Sequence, residues 1–341
     1  MSDPSQNINP HYKKHPAVSY THDECKKGII DQNPTILSYL ISKAESRIPN
    51  DHELLYNVLR DISDTGHSRV IALSGAPGVG KSTFVNSYGQ HLINKGHKIA
   101  VLPVDPSSNI SRGSILGDKT RMEDIVNSDK VYIKPMPSSL SVGGVAPASF
   151  LATHICRLAQ FDYIFLETVG VGQSEYEARH LADLFILLLQ PGGGDDLQGI
   201  KRGIMEMADI LLINKADGPL ESSAKNSLEA YKQSLKLMLP NTYGWKAKTG
   251  LYSSMSDRHI QNLDDHIESY YDFMSSDGKL NAMRASQELH YFDTHYKEVL
   301  FQQILQSNNL NDVISKFRSD IQEKKLYPYI ALQKLKAITL S

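Results

Sequence analysis

Seven short apolar runs, separated by stretches long enough for helices, constrain the middle of this chain. They lie at residues 70–74, 98–104, 131–134, 163–166, 184–189, 210–213 and 248–252. Each is apolar on both faces rather than alternating, as in strands buried from both sides. Strands of that kind, alternating with helices, predict an α/β fold with a mostly parallel central sheet covered by helices on both faces. Before this block, Ile36, Leu37, Leu40, Ile41 and then Leu54, Leu55, Val58, Leu59, Ile62 recur at helical spacing, so two leading helices are expected. After residue 260 the pattern is again helical, with a turn at Asp277-Gly278 before a long final helical region. Four parts result: a tail (1–27), an N-terminal helical segment (28–66), the sheet domain (67–276) and a helical C-terminal arm (277–341).

The first strand runs into Gly75-Ala76-Pro77-Gly78-Val79-Gly80-Lys81-Ser82-Thr83, which fits GxxxxGK[ST] in a strand–loop–helix context. Glycines there let backbone N–H groups curl round phosphates, and the following helix turns its positive end toward them. The fold class is therefore a P-loop NTPase. In this pattern Lys81 bridges the β- and γ-phosphates and Ser82 ligates Mg²⁺.

The run at 210–213 ends in Asn214-Lys215-Ala216-Asp217. A carboxylate at Asp217 accepts from both N1–H and the 2-amino group of guanine, whereas adenine offers no such pair. The nucleotide is accordingly read as GTP, released as GDP. Ser253-Ser254-Met255 falls where a loop closes over the base. Asp105, ending the second run, is placed to meet Mg²⁺ or the attacking water. Glu167, at the tip of the run at 163–166, suits Mg²⁺, Gly170 a γ-phosphate contact through its N–H, and Gln173 the orientation of water.

With a net charge of −2, the chain offers no broad attraction to nucleic acid or membrane. Cys25 and Cys156 form no CxxC or Cys/His cluster, which fits a reducing compartment. No run of 18 apolar residues occurs, and the first 25 residues carry no apolar signal region, so a cytoplasmic protein is expected.

The segments 104–108, 113–122, 167–175 and 192–203 resemble those of the MeaB/ArgK family, GTPases associated with methylmalonyl-CoA mutase. The likeness runs from about residue 30 to about residue 335. It implies a homodimeric G-protein chaperone that gates adenosylcobalamin delivery and protects or reactivates the mutase. By the same resemblance, residues 113–122 are a first switch in which Asp118 lies near Mg²⁺ and the phosphates, 167–173 a second, and 190–203 a third that signals to the mutase. It also turns Tyr270, Tyr271, Phe273, Tyr291, Phe292 and Tyr296, otherwise equally suited to a monomer's own bundle, into a dimer contact. Departures from the family pattern occur at 138–144, at Pro147 and around His259. The alternatives are a GTP-dependent kinase of the amino-acid transport type, for which no acceptor site is evident, and a metallochaperone GTPase, for which the scattered histidines are unsuited.

Overall fold

The computed structural model describes residues 19–46, 49–105, 122–137, 147–168, 173–192, 202–256, 259–307 and 310–339. Three helices come first: α1 (His22–Ile30), α2 (Pro34–Ala44) and α3 (Pro49–Arg60). The first begins inside the stretch read from sequence as tail. Thr21 accepts from the Glu24 amide, and the Glu24 carboxylate reaches back to the Thr21 amide at 2.7 Å, a capping box that fixes the start.

The strands are β1 (Arg69–Gly75), β2 (Ile99–Asp105), β3 (Val131–Ile133), β4 (Met136–Pro137), β5 (Tyr163–Thr168), β6 (Leu184–Leu189), β7 (Ile210–Ile213) and β8 (Lys248–Leu251). They form one sheet in the order β3-β2-β5-β1-β6-β7-β8, with β4 paired to the end of β2. All pairings are parallel. The seven predicted runs are all strands; β4, two residues long, is too short to leave a pattern.

The other helices are α4 (Lys81–Asn94), α5 (Glu123–Val126), α6 (Pro147–Leu158), α7 (Gln173–Leu181), α8 (Arg202–Met207), α9 (Glu221–Lys236), α10 (Ile260–Ser275), α11 (Lys279–Ser307), α12 (Leu310–Gln322) and α13 (Pro328–Thr339). Successive strand residues point to opposite faces, so β1 serves two cores. Val70 and Ala72 join Leu37, Leu40, Ile155 and Cys156 from α2 and α6. Ile71 and Leu73 join Phe84, Tyr88, Ile267 and Tyr270 from α4 and α10. Both cysteines are free and buried.

Tyr270 and Tyr271 are buried in the chain's own core, which corrects their assignment to a dimer contact. They sit on the α10 face that covers the sheet, where Tyr270 donates to the Asp183 carbonyl at 2.6 Å. Tyr291 stacks on Phe150 of α6, whereas Phe292 and Tyr296 lie exposed on α11. Trp245 packs before β8 and donates its indole N–H to the Asp209 carbonyl at 3.0 Å. Asp277 takes φ +56° in the turn before α11. Among the described residues no helix is long and apolar enough to cross a membrane.

Candidate functional site

Strand β1 lies between β5 and β6, and the loop that leaves it is held from both sides. Gly75 has φ +149°, and a Cβ there would stand 2.4 Å from the Leu188 carbonyl oxygen of β6. Only glycine fits such an approach. Ala76, Pro77 and Gly78 form an exposed crest, while Val79 is buried and pins the loop beneath. At Gly78, with φ +78°, a Cβ would meet nothing within 4 Å, so the crest is open above the backbone. Helix α4 starts at Lys81, immediately beyond, and directs its free N–H groups and dipole into the same space.

Lys81 is buried and donates to the carbonyls of Gly75 (2.7 Å) and Ala76 (3.2 Å), so its ammonium lies within the loop. Ser82, one residue on, donates to Glu167 at 2.6 Å. Glu167 reaches that position because β5 pairs with β1 in a register that sets it beside Leu73. Thr83 follows on the half-buried first turn.

The second side of the cleft comes from the end of β7. Asn214 is buried; its Nδ2 donates to the Val79 carbonyl at 2.9 Å and its Oδ1 accepts from Ser254 at 3.1 Å. A Cβ at Gly80 would lie 2.7 Å from that same Nδ2, so glycine is needed for the contact, and φ is +100° as well. Lys215, in the left-handed region at φ +57°, donates to the Gly78 carbonyl at 2.9 Å. Asp217 accepts from the Ser253 hydroxyl, which also accepts from the Met255 amide at 3.3 Å. The Ala216 amide donates to the Tyr252 carbonyl at 3.0 Å, closing the 252–255 turn onto 214–217.

The fold thus brings together residues 75–83, Glu167, 214–217 and 253–255 in one cleft at the carboxyl ends of parallel strands, where open α/β sheets bind ligands. Asp118 and Gly170 lie outside the described residues, as do the side chains of Asp105 and Gln173. The backbone of Asp105 ends β2, beside β5, and Gln173 opens α7. Most of the segments 113–122, 138–144 and 190–203 is likewise outside. One contributor was not foreseen from sequence. Tyr252 hydrogen-bonds Ser87 of α4 at 2.7 Å, tying the 252–255 turn to the helix that follows the glycine loop. Its only trace in the sequence was its place at the end of the last apolar run.

Residues 37–309 match the family described as methylmalonyl Co-A mutase-associated GTPase MeaB. The chain belongs to that family. GTPase ArgK of Escherichia coli is 33% identical over 300 residues, covering 88% of this chain and 91% of its own. A Caenorhabditis elegans protein, the mitochondrial methylmalonic aciduria type A homolog, is 32% identical over 350 residues, covering 97% and 88%. The crystal structure of an LAO/AO transport system kinase superposes with a TM-score of 0.68 at 26% identity, over 94% of this chain and 98% of that one. In this MeaB-family GTPase the glycine loop and Asn214-Lys215-Ala216-Asp217 are joined to each other by the Asn214–Val79 and Lys215–Gly78 hydrogen bonds. A divalent cation fits the donor set as well. Ser82 and Glu167 bring a hydroxyl and a carboxylate together at the mouth of the loop, and hard oxygen donors of this type suit Mg²⁺.

Proposed function

We propose that this chain binds GTP with Mg²⁺, hydrolyses it slowly, and uses its two nucleotide states to gate adenosylcobalamin loading of methylmalonyl-CoA mutase and to protect or reactivate that enzyme. The family match supports association with the mutase. The observation that carries the nucleotide part is the fastening of Asn214 to Val79 and of Lys215 to Gly78, which joins base reader and phosphate loop in one cleft.

In the reaction, water attacks the γ-phosphorus in line. The bond to the β,γ-bridging oxygen breaks, leaving GDP and inorganic phosphate with the proton passed to solvent. The loop amides and Lys81 stabilise charge on the bridging and γ oxygens. Ser82, Asp105 and Glu167 would hold Mg²⁺, which would supply neutralisation of charge on the phosphates. Asp105, Asp118 or Gln173 orients the water, and Gly170 offers its N–H to the γ-phosphate. Asp217, held by Ser253, accepts from the guanine edge, while Ser254 and Met255 close over the base.

Two copies associate through the arm. Leu289, Phe292, Val299 and Leu300 are exposed along one side of α11, and an apolar face of this kind supports a contact between chains. Segment 190–203 carries the nucleotide state to the mutase. Two free, buried cysteines support a reducing compartment such as the cytoplasm.

GTP hydrolysis measured with and without purified mutase tests the whole reading. Stimulation and a stable complex are expected; absence of both leaves a GTPase and removes the chaperone role. Labelled GTP offered with amino-acid acceptors is expected to yield labelled free phosphate. Label on an acceptor would establish the kinase reading instead.

A further inference from the structure

The arm helix α11 holds the C-terminal end of α7 and the two residues just past it through three side chains. Arg284 donates through Nε and Nη2 to the two carboxylate oxygens of Asp183, at 2.8 and 2.7 Å, two residues past the end of α7. Gln287 donates to the Ala182 carbonyl at 2.8 Å. His290 lays its imidazole on that of His180, with ring centroids 4.0 Å apart and planes 17° from parallel. Positions 284, 287 and 290 share one face of a helix. Helix α7 in turn begins at Gln173, directly after the segment that the proposed function assigns to sensing the γ-phosphate. The inference below rests on that assignment.

The stack differs from the other contacts because an imidazole is the side chain that ordinarily changes charge close to neutral pH. The charged and titratable groups around them come from three helices. Helix α7 itself contributes Glu177 and Arg179, α6 contributes His154 and Arg157, and α11 contributes Arg284 and Glu288. His154, Arg157, His180, Arg284 and Glu288 line a cavity of about 20 Å³, wide enough for a water molecule. The three arginines are already paired: Arg179 with Asp209 (2.9 Å), Arg157 with Asp64 (2.6 Å) and Arg284 with Asp183. The His180 ring, although its residue is exposed overall, is lowered from the usual histidine range by partial burial against the arm, then by His290 and Arg179. Burial and Arg157 do the same for His154.

We propose that the His180–His290 stack is a positioning latch. While the stack is intact it holds α7, and with it the exit of the phosphate-sensing segment, against the arm; uptake of a proton by His180 opens the latch and slows GTP turnover. The sign follows from linkage. The open form binds the proton more readily than the stacked one, so the latch is fully closed above the ordinary histidine value of about 6.5 and weakens as pH falls below it.

The test uses the full chain, with GTP turnover followed from about pH 5.5 to about pH 8 and hydrogen exchange of α7 measured in parallel. Wild type is compared with the double variant His180→Phe/His290→Phe, which keeps two stacked rings without titratable nitrogens. Wild type is expected to lose about threefold or more in kcat on acidification, and to gain exchange in α7 over the same range. The double variant is expected to be flat in both. His290→Gln, which removes one ring, is expected to show the acid-type exchange at every pH. If the double variant follows wild type in both readouts, the acid limb belongs to His154 or Glu177 and the latch is overturned. Exchange that changes while turnover does not also overturns it. A chain that hydrolyses no GTP at about pH 8 fails the functional reading instead, and the exchange of α7 then decides the latch by itself.

Discussion

Asn214 donates its side-chain amide to the backbone carbonyl of Val79 at 2.9 Å, spanning 135 positions of sequence. The end of β7, proposed to read the base, is thereby fastened to the glycine loop, proposed to cradle the phosphates. Substitution at this junction is expected to show in ligand binding before it shows in folding.

Replacing Asn214 with Ala leaves the Val79 carbonyl and the Ser254 hydroxyl without that partner. The GTP dissociation constant is expected to rise about tenfold to hundredfold, equivalent to about 1–3 kcal/mol for unsatisfied buried groups. Titration calorimetry reads this directly, and unchanged affinity would remove the brace from the account.

Gly80→Ala puts a methyl group 2.7 Å from the Asn214 amide at a φ of +100°. Strain of about 1–3 kcal/mol is expected, together with loss of GTP binding. Gly78→Ala has the same kind of backbone problem at φ +78° but no neighbour to strike, so it should retain more affinity.

Asp217→Asn exchanges an acceptor carboxylate for an amide whose N–H₂ opposes the guanine donors. Selectivity for GTP over ATP is expected to fall by about 100-fold or more, measured by competition against a labelled guanine nucleotide. Retained selectivity would sink the base assignment.

For Lys81→Ala, turnover should drop by about 100-fold or more through loss of charge stabilisation at the transferring phosphate. Circular dichroism should remain that of the native protein, because the substitution leaves the loop's glycines and their backbone unchanged. A variant that still turns over GTP at the native rate would remove Lys81 from the mechanism.

Burial pushes the Glu177 carboxyl up to about 7 from an ordinary value of 4.5. Its contribution to stability is complete below about pH 4.5 and declines as pH rises toward 7, where the folded chain must ionise it. Glu177→Gln should therefore stabilise the protein above about pH 7, on the order of 1 kcal/mol after allowance for partial solvent screening. Near pH 4 it should have little effect. Denaturant titrations at both pH values check the sign; greater stabilisation in acid would contradict it.

Much of this architecture was legible because its signals are local. The runs at 184–189 and 210–213 coincide with β6 and β7, since strands buried on both faces are uniformly apolar from end to end. The glycine loop was legible because few residues tolerate the backbone of Gly75 and Gly80. The start of α1 was missed although Thr21-x-x-Glu24 is a capping signature, because the polar residues around it read as tail. The fate of Tyr270 and Tyr271 was not legible, since helical spacing defines a face without saying what covers it. Nor was the contact of Arg284 with Asp183, 101 positions apart, which only the packing of α11 creates.

The strand order also bears on how the chain is made. Every neighbour of β1 arrives late: Arg69 pairs with Tyr163, and Ile71 with Leu184. The phosphate loop emerges early from the ribosome yet has no walls until β6 has followed. An incomplete chain therefore carries the motif without the cleft, with apolar strand edges open to other chains. Non-local pairing of this kind slows folding, so the cleft can close only once β6 has been made and has joined β1.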